Sequence, residues 1–126
     1  MSNVKEACKF AVQKLGACAG VCDKFVKGEV PRNHCIAPSR DAASAYKKTI
    51  QACREHMANC KNAACNDACN ACIKACEKAV EKNNACADAC GGGSSDADCK
   101  TVCKDCSDAC KACIKACQDC ITKVCS

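Results

Sequence analysis

Residues 99 to 120 read CKTVCKDCSDACKACIKACQDC and place Cys99, Cys103, Cys106, Cys110, Cys113, Cys117 and Cys120 at steps of 4, 3, 4, 3, 4 and 3. Steps of three and four residues return to one face of an α-helix. The stretch therefore spells an a/d seam in which thiols stand where Leu or Ile is usual. Cysteine behaves as a small hydrophobe that tolerates burial, so this seam is expected to face the interior of a helix bundle.

The same rhythm runs outward through the chain. Over residues 3–27 it is carried by Val4, Cys8, Ala11, Leu15, Cys18, Cys22 and Phe25, a mixed apolar and thiol seam. Residues 28–39 hold both prolines and predict a connection, with His34 and Cys35 outside any seam. A second helix is expected over 40–62, capped by Ser39 or Asp41, with Ala43, Tyr46, Ile50, Cys53, Met57 and Cys60 on its inward line. A third, over 65–90, carries Cys65, Cys69, Cys72 and Cys76; Ala79 and Asn83 keep the step, and Cys86 and Cys90 complete it. GGGSS at 91–95 breaks the helix. Asp96 or Asp98 is then the expected cap of a fourth helix over 97–125, where Cys125 falls off the heptad line at a frayed end.

An internal repeat supports one recurring unit: DACNACIKAC at 67–76 matches DACKACIKAC at 108–117 in nine of ten positions. Ala-Cys occurs twelve times, and alanine beside each thiol favours helix and permits close helix approach. The prediction is an all-α fold, a single domain over 1–126 forming an up-down-up-down four-helix bundle with a cysteine-lined core. The 28–39 and 91–95 connections should share one end, with the termini and the 61–64 turn at the other.

Composition narrows the function classes. Two Phe, one Tyr and no Trp leave twenty Cys to fill much of the interior. The net charge of +5 arises from 19 basic against 14 acidic residues scattered singly, which reads as a solvated outer face and not a nucleic-acid patch. No apolar run reaches membrane length, and no Ser-His-Asp set, carboxylate pair or phosphate loop suggests an enzyme. The CxxC at Cys69–Cys72 lies mid-helix in a row, not after a strand as in a thiol oxidoreductase. The start, MSNVKEACKFAVQKLG, lacks a basic segment leading into an apolar one, so the expected compartment is the reducing cytoplasm.

So many cysteines signal either a disulfide scaffold or a metal binder. Neighbouring seam cysteines have Cβ atoms about 5–6 Å apart, against about 3.8 Å in a disulfide. Pairing along a helix is thus disfavoured, while a bundle locked by disulfides between helices remains an alternative. Of the nineteen gaps between cysteines, eleven are of three or four residues and none is shorter. Wrapped clusters rich in CxC and CC therefore fit poorly, as do iron–sulfur motifs with isolated quartets.

Charge separates the remaining metals. Zinc with four thiolates leaves two negative charges per site, costly to repeat in a dry core, whereas Cu(I) with one thiolate per ion is neutral. Soft thiolate and thioether ligands also select Cu(I). The reading is high-capacity Cu(I) binding and storage, with a metallothionein-like sequestrant for Zn(II) or Cd(II) as a second reading. Candidate ligands are the seam cysteines of the third and fourth helices, together with Cys8, Cys18, Cys22, Cys53 and Cys60. Cys35 and Cys125 are either ligands or exposed thiols. Met57 is a thioether candidate at a position where a gap-filling methionine is usual. His56 is expected in solvent beside the seam. His34 is a candidate entry ligand, although a surface role is commoner for a loop histidine. Asn83 either sets helix register or lines a gap in the metal path.

The CxxxCxxCxxxC rows at Cys65–Cys76 and Cys99–Cys120 resemble those of the bacterial copper storage proteins, and the resemblance covers nearly the whole chain. It implies a cysteine-lined four-helix bundle holding several Cu(I) ions along its axis. It further implies a homotetramer and entry at a mouth with His or Met ligands; a copper donor or chaperone protein is the expected partner of such a store. The chain departs from the family in a second helix poor in thiols, a last helix without histidine, and scarce Met.

Overall fold

The computed structural model describes residues 3–123. Four helices, α1 (Asn3–Val26), α2 (Ile36–Asn59), α3 (Ala63–Gly91) and α4 (Asp96–Lys123), form an up-down-up-down bundle. A single 3₁₀ turn, η1 (Arg32–Cys35), precedes α2. Each helix packs on two neighbours, in the ring order α1, α2, α3, α4, while the diagonal backbones stay apart. The space between the diagonals is therefore left for side chains.

Each boundary has a local cause. α1 ends in a Schellman motif, with the Gly28 amide donating to Phe25 O at 2.9 Å and the Glu29 amide to Lys24 O at 2.8 Å. Gly28 takes φ 80°, a left-handed conformation that favours glycine. Asn62 caps α3, its side-chain oxygen accepting from the Cys65 amide at 2.9 Å.

Two expected caps are replaced. α2 begins at Ile36, four residues before the expected start, with Pro38 in its first turn, where the missing N–H has no intrahelical partner to lose. Ser39, expected to cap, is instead fully buried with its hydroxyl 3.5 Å from Cys18 Sγ, and Asp41 is exposed. At α4 the cap is Ser95, whose hydroxyl accepts from the Asp98 amide at 3.2 Å. Asp96 and Asp98 lie within the first turn, where their charge complements the helix dipole.

The two bundle ends are composed as expected. At the upper end Arg32 of η1 donates to the carbonyls of Ser94 and Gly92 and pairs with Asp96, tying the two long connections together. The lower end is closed by the 60–62 turn, where Asn66 Nδ2 donates to Cys60 O at 3.0 Å. Outside, the exposed pairs Arg40–Asp88 and Arg54–Glu77 link α2 to α3, and Lys111–Asp23 links α4 to α1. Such pairs contribute little each. No helix among the described residues is long and apolar enough to cross a membrane.

Candidate metal centre

The 4, 3 step turns every seam inward. Eighteen of the nineteen described cysteines are buried and Cys60 is half-buried, so sulfur fills much of the bundle interior. No disulfide forms among the described residues. Cys125 lies outside them.

In the lower half the thiols of α1, α3 and α4 meet. Cys72 Sγ lies 4.0 Å from Cys8, 3.7 Å from Cys117 and 3.9 Å from Cys76. Cys76 and Cys113 approach to 3.2 Å, Cys113 and Cys117 to 3.9 Å, and Cys69 and Cys120 to 4.0 Å. Cys8, Cys72 and Cys117 form one group with all sulfurs within 4.8 Å, and Cys53, Cys72 and Cys120 form another. Sulfur thus spans the diagonal from α1 to α3 that the backbones leave open.

The upper half repeats the arrangement. Cys86 Sγ lies 2.9 Å from Cys103, 3.8 Å from Cys22 and 4.0 Å from Cys90, and Cys90 lies 3.4 Å from Cys103. Cys18 and Cys106 are 3.7 Å apart and form a three-thiol group with Cys110. Cys99 sits at the upper rim, accepting from Arg32 Nη1 at 3.4 Å while its own thiol donates to Ala89 O at 3.2 Å.

The residues outside the seams depart most from expectation. Cys35 is fully buried and joins Cys22, Cys86 and Cys103 as the fourth member of a group within 4.8 Å. The signal lies in Pro31 followed by a short polar run, which winds into η1 and turns the thiol inward; heptad counting does not read a 3₁₀ turn. His56, expected in solvent, is half-buried, with Nε2 3.1 Å from Cys65 Sγ and Cys60 in the same group. The cause is the end of α2 at Asn59, beyond which Cys60 is extended (φ −107°, ψ 131°) and leaves the helical line. Met57 is half-buried against the core, and His34 stays on the surface.

Asn83 is fully buried among thiols. Its Oδ1 accepts from Cys18 at 3.0 Å, Cys106 at 3.3 Å and Cys110 at 3.8 Å, while Nδ2 donates to Ala79 O at 2.6 Å. Tyr46, also fully buried, donates its hydroxyl to Cys110 Sγ at 3.4 Å. Every polar atom of this central layer therefore has a partner.

Burial and mutual hydrogen bonding spread the thiol acidities. Desolvation pushes Cys90 up to about 12 and raises Cys69 as well. Cys117, hydrogen-bonded first by Cys113 and then by Cys72, is lowered to about 6. Cys120 is lowered chiefly by Cys53, and Cys86 chiefly by Cys103. Each half of the core thus holds thiols poised to ionise beside thiols held neutral. A metal ion entering such a group displaces protons, so loading is coupled to proton release.

Comparison with protein-family models, with curated proteins and with solved structures returned no significant match. The four-helix fold and the buried thiol groups within metal-binding distance stand on the chain's own geometry.

Proposed function

We propose that this chain binds and stores Cu(I), holding several ions on thiolates along the bundle axis. The observation that carries the reading is the prevalence of three-sulfur groups: Cys8/Cys72/Cys117, Cys53/Cys72/Cys120 and Cys18/Cys106/Cys110. Cu(I) accepts two or three soft ligands, and one thiolate per ion leaves no net charge in a dry core. Sulfur contacts of 3.2 to 4.0 Å in the lower half set out steps over which an ion passes by exchanging one thiolate for the next. His56, Cys60 and Cys65, partly open at the lower end, supply a nitrogen and two sulfurs where an ion arriving from a donor protein is first held.

One observation favours a second reading, Zn(II) or Cd(II) sequestration. The Cys22/Cys35/Cys86/Cys103 group offers four thiols. A zinc–sulfur bond of about 2.3 Å gives tetrahedral edges of about 3.8 Å, and Cys22 and Cys86 stand 3.8 Å apart. Extending such sites through the core would accumulate two negative charges at each, whereas copper adds none.

The test is an anaerobic titration of the fully reduced protein with buffered Cu(I), in parallel with Zn(II), after counting thiols. A copper count approaching the twenty cysteines, with zinc stopping near a quarter of it, is expected. Few titratable thiols before reduction, or a copper count of only about one to four, would overturn the reading.

A further inference from the structure

The thiol rows lapse at one level of the bundle. α1 and α3 run parallel, and the pairs Cys8–Cys72 and Cys22–Cys86 fix their register; the same register sets Leu15 level with Ala79. α3 and α4 run antiparallel, with Cys76–Cys113 and Cys86–Cys103 in contact, which sets Ala79 opposite Cys110. Tyr46 of α2 completes the layer through its hydrogen bond to Cys110. All four side chains are fully buried, and one of them carries sulfur.

The single thiol of this layer, Cys110, groups upward with Cys18 and Cys106 within 4.8 Å, and it accepts from the Tyr46 hydroxyl at 3.4 Å and donates to Asn83 Oδ1 at 3.8 Å. Among the described residues, the sulfur pairs in contact fall on either side of the layer, Cys76–Cys113 below and Cys18–Cys106 above. An ion handed between thiolates needs the next sulfur within about 4.6 Å, twice a metal–sulfur bond. α1, α2 and α3 place none at this level, because Leu15, Tyr46 and Ala79 stand where their rows would supply one.

We propose that this layer is a septum dividing the core into two separate metal stores, each reached from its own end of the bundle. The lower store opens at His56, Cys60 and Cys65. The upper store opens at Cys99, beneath the guanidinium of Arg32, whose side chain is 30% exposed. The inference rests on the copper-storage reading, and it adds two populations of ions that fill and empty independently.

The experiment is time-resolved Cu(I) loading under anaerobic conditions, with buffered Cu(I) as the probe. Unprotected thiols are alkylated at intervals and the protected ones located by peptide mass spectrometry. In the triple variant His56→Ala/Cys60→Ser/Cys65→Ser, protection of Cys72, Cys113 and Cys117 is expected to slow tenfold or more. Cys22, Cys86 and Cys103 should be protected at the parent rate. Slowing of both sets alike, or of neither, overturns the proposal.

Ala79→Cys/Asn83→Cys completes the α3 row through the septum. Added to the triple variant, it is expected to restore filling of the lower store from above; no restoration in a folded protein overturns the septum. Parent protein that binds only a few copper ions would defeat the storage reading itself. Full capacity with one concerted filling phase would leave storage standing and defeat only the division.

Discussion

Replacing Cys35 with alanine tests whether a thiol delivered by a connecting segment belongs to the core. Its side chain is fully buried and lies within 4.8 Å of Cys22, Cys86 and Cys103. Deleting one buried heavy atom from a close-packed interior costs about 1–2 kcal/mol, transfer and cavity contributions together. In a domain of this size that lowers Tm by about 3–8 °C. The metal consequence is larger and separable. With three thiolates left, the group loses its tetrahedral set, so zinc affinity there should fall by more than the about 10–100-fold that losing a supporting partner costs. Copper capacity should fall by about one ion, because at one thiolate per Cu(I) one ligand is lost. Thermal melts of reduced metal-free protein by circular dichroism give the first quantity; zinc competition and copper counting give the others. Cys60→Ala, at the half-buried lower rim, is the control and should cost less stability. A Cys35→Ala protein with the parent Tm, parent zinc affinity and parent copper count would refute the placement of Cys35 in the core.

Gly28→Ala should destabilise by about 1–2 kcal/mol in chemical denaturation, since φ 80° is left-handed and a Cβ there meets nothing within 4 Å that would add a steric cost. Gly91→Ala, in ordinary van der Waals contact with Ile36 Cδ1 at 3.5 Å, should be neutral or stabilise by up to about 1 kcal/mol. Metal-free protein should lose stability as pH rises from 9 towards 12. Cys90 holds its proton up to about 12 in the fold, against an ordinary 9.0, so above pH 9 the unfolded chain binds fewer protons and is favoured. Tm measured across that range should slope downward, and the slope should flatten in copper-loaded protein, whose ligands have already ionised; a flat metal-free profile would refute the burial argument. Loading at pH 7 should release nearly one proton for each neutral thiol that becomes a ligand, read by pH-stat.

The helix seams were legible because period and chemistry agree: Cys99 to Cys120 name one face of α4, and every one of these thiols is buried. What the period did not carry was the behaviour of chain outside a helix. Pro31 and Pro38 read as loop, yet Pro31 precedes a 3₁₀ turn and Pro38 sits where α2 has no amide to lose, so Cys35 points inward. At the other end of α2 the period was carried too far. The helix stops at Asn59, Cys60 extends, and His56, one residue off the seam, meets Cys65. The expected caps, Ser39 or Asp41 for α2 and Asp96 or Asp98 for α4, fail for the same reason: α2 starts four residues earlier than the period suggests and α4 one.

A deeper limit separates what a periodic sequence states from what it implies. Heptad steps fix which face of each helix turns inward, but they say nothing about the axial offset between helices. The lapses at Ala11 and Leu15 in α1, and at Ala79 and Asn83 in α3, therefore read as two unrelated substitutions of packing residues for thiols. Only the contacts Cys8–Cys72 and Cys22–Cys86 bring Leu15 and Ala79 to one height, where Tyr46 and Asn83 bond to Cys110. A stray loss of cysteine in one row would leave the sulfur path intact through its neighbours. Coincident losses in three rows, at a level whose one remaining thiol groups with Cys18 and Cys106 above and bonds to the Tyr46 hydroxyl and Asn83 Oδ1, interrupt it.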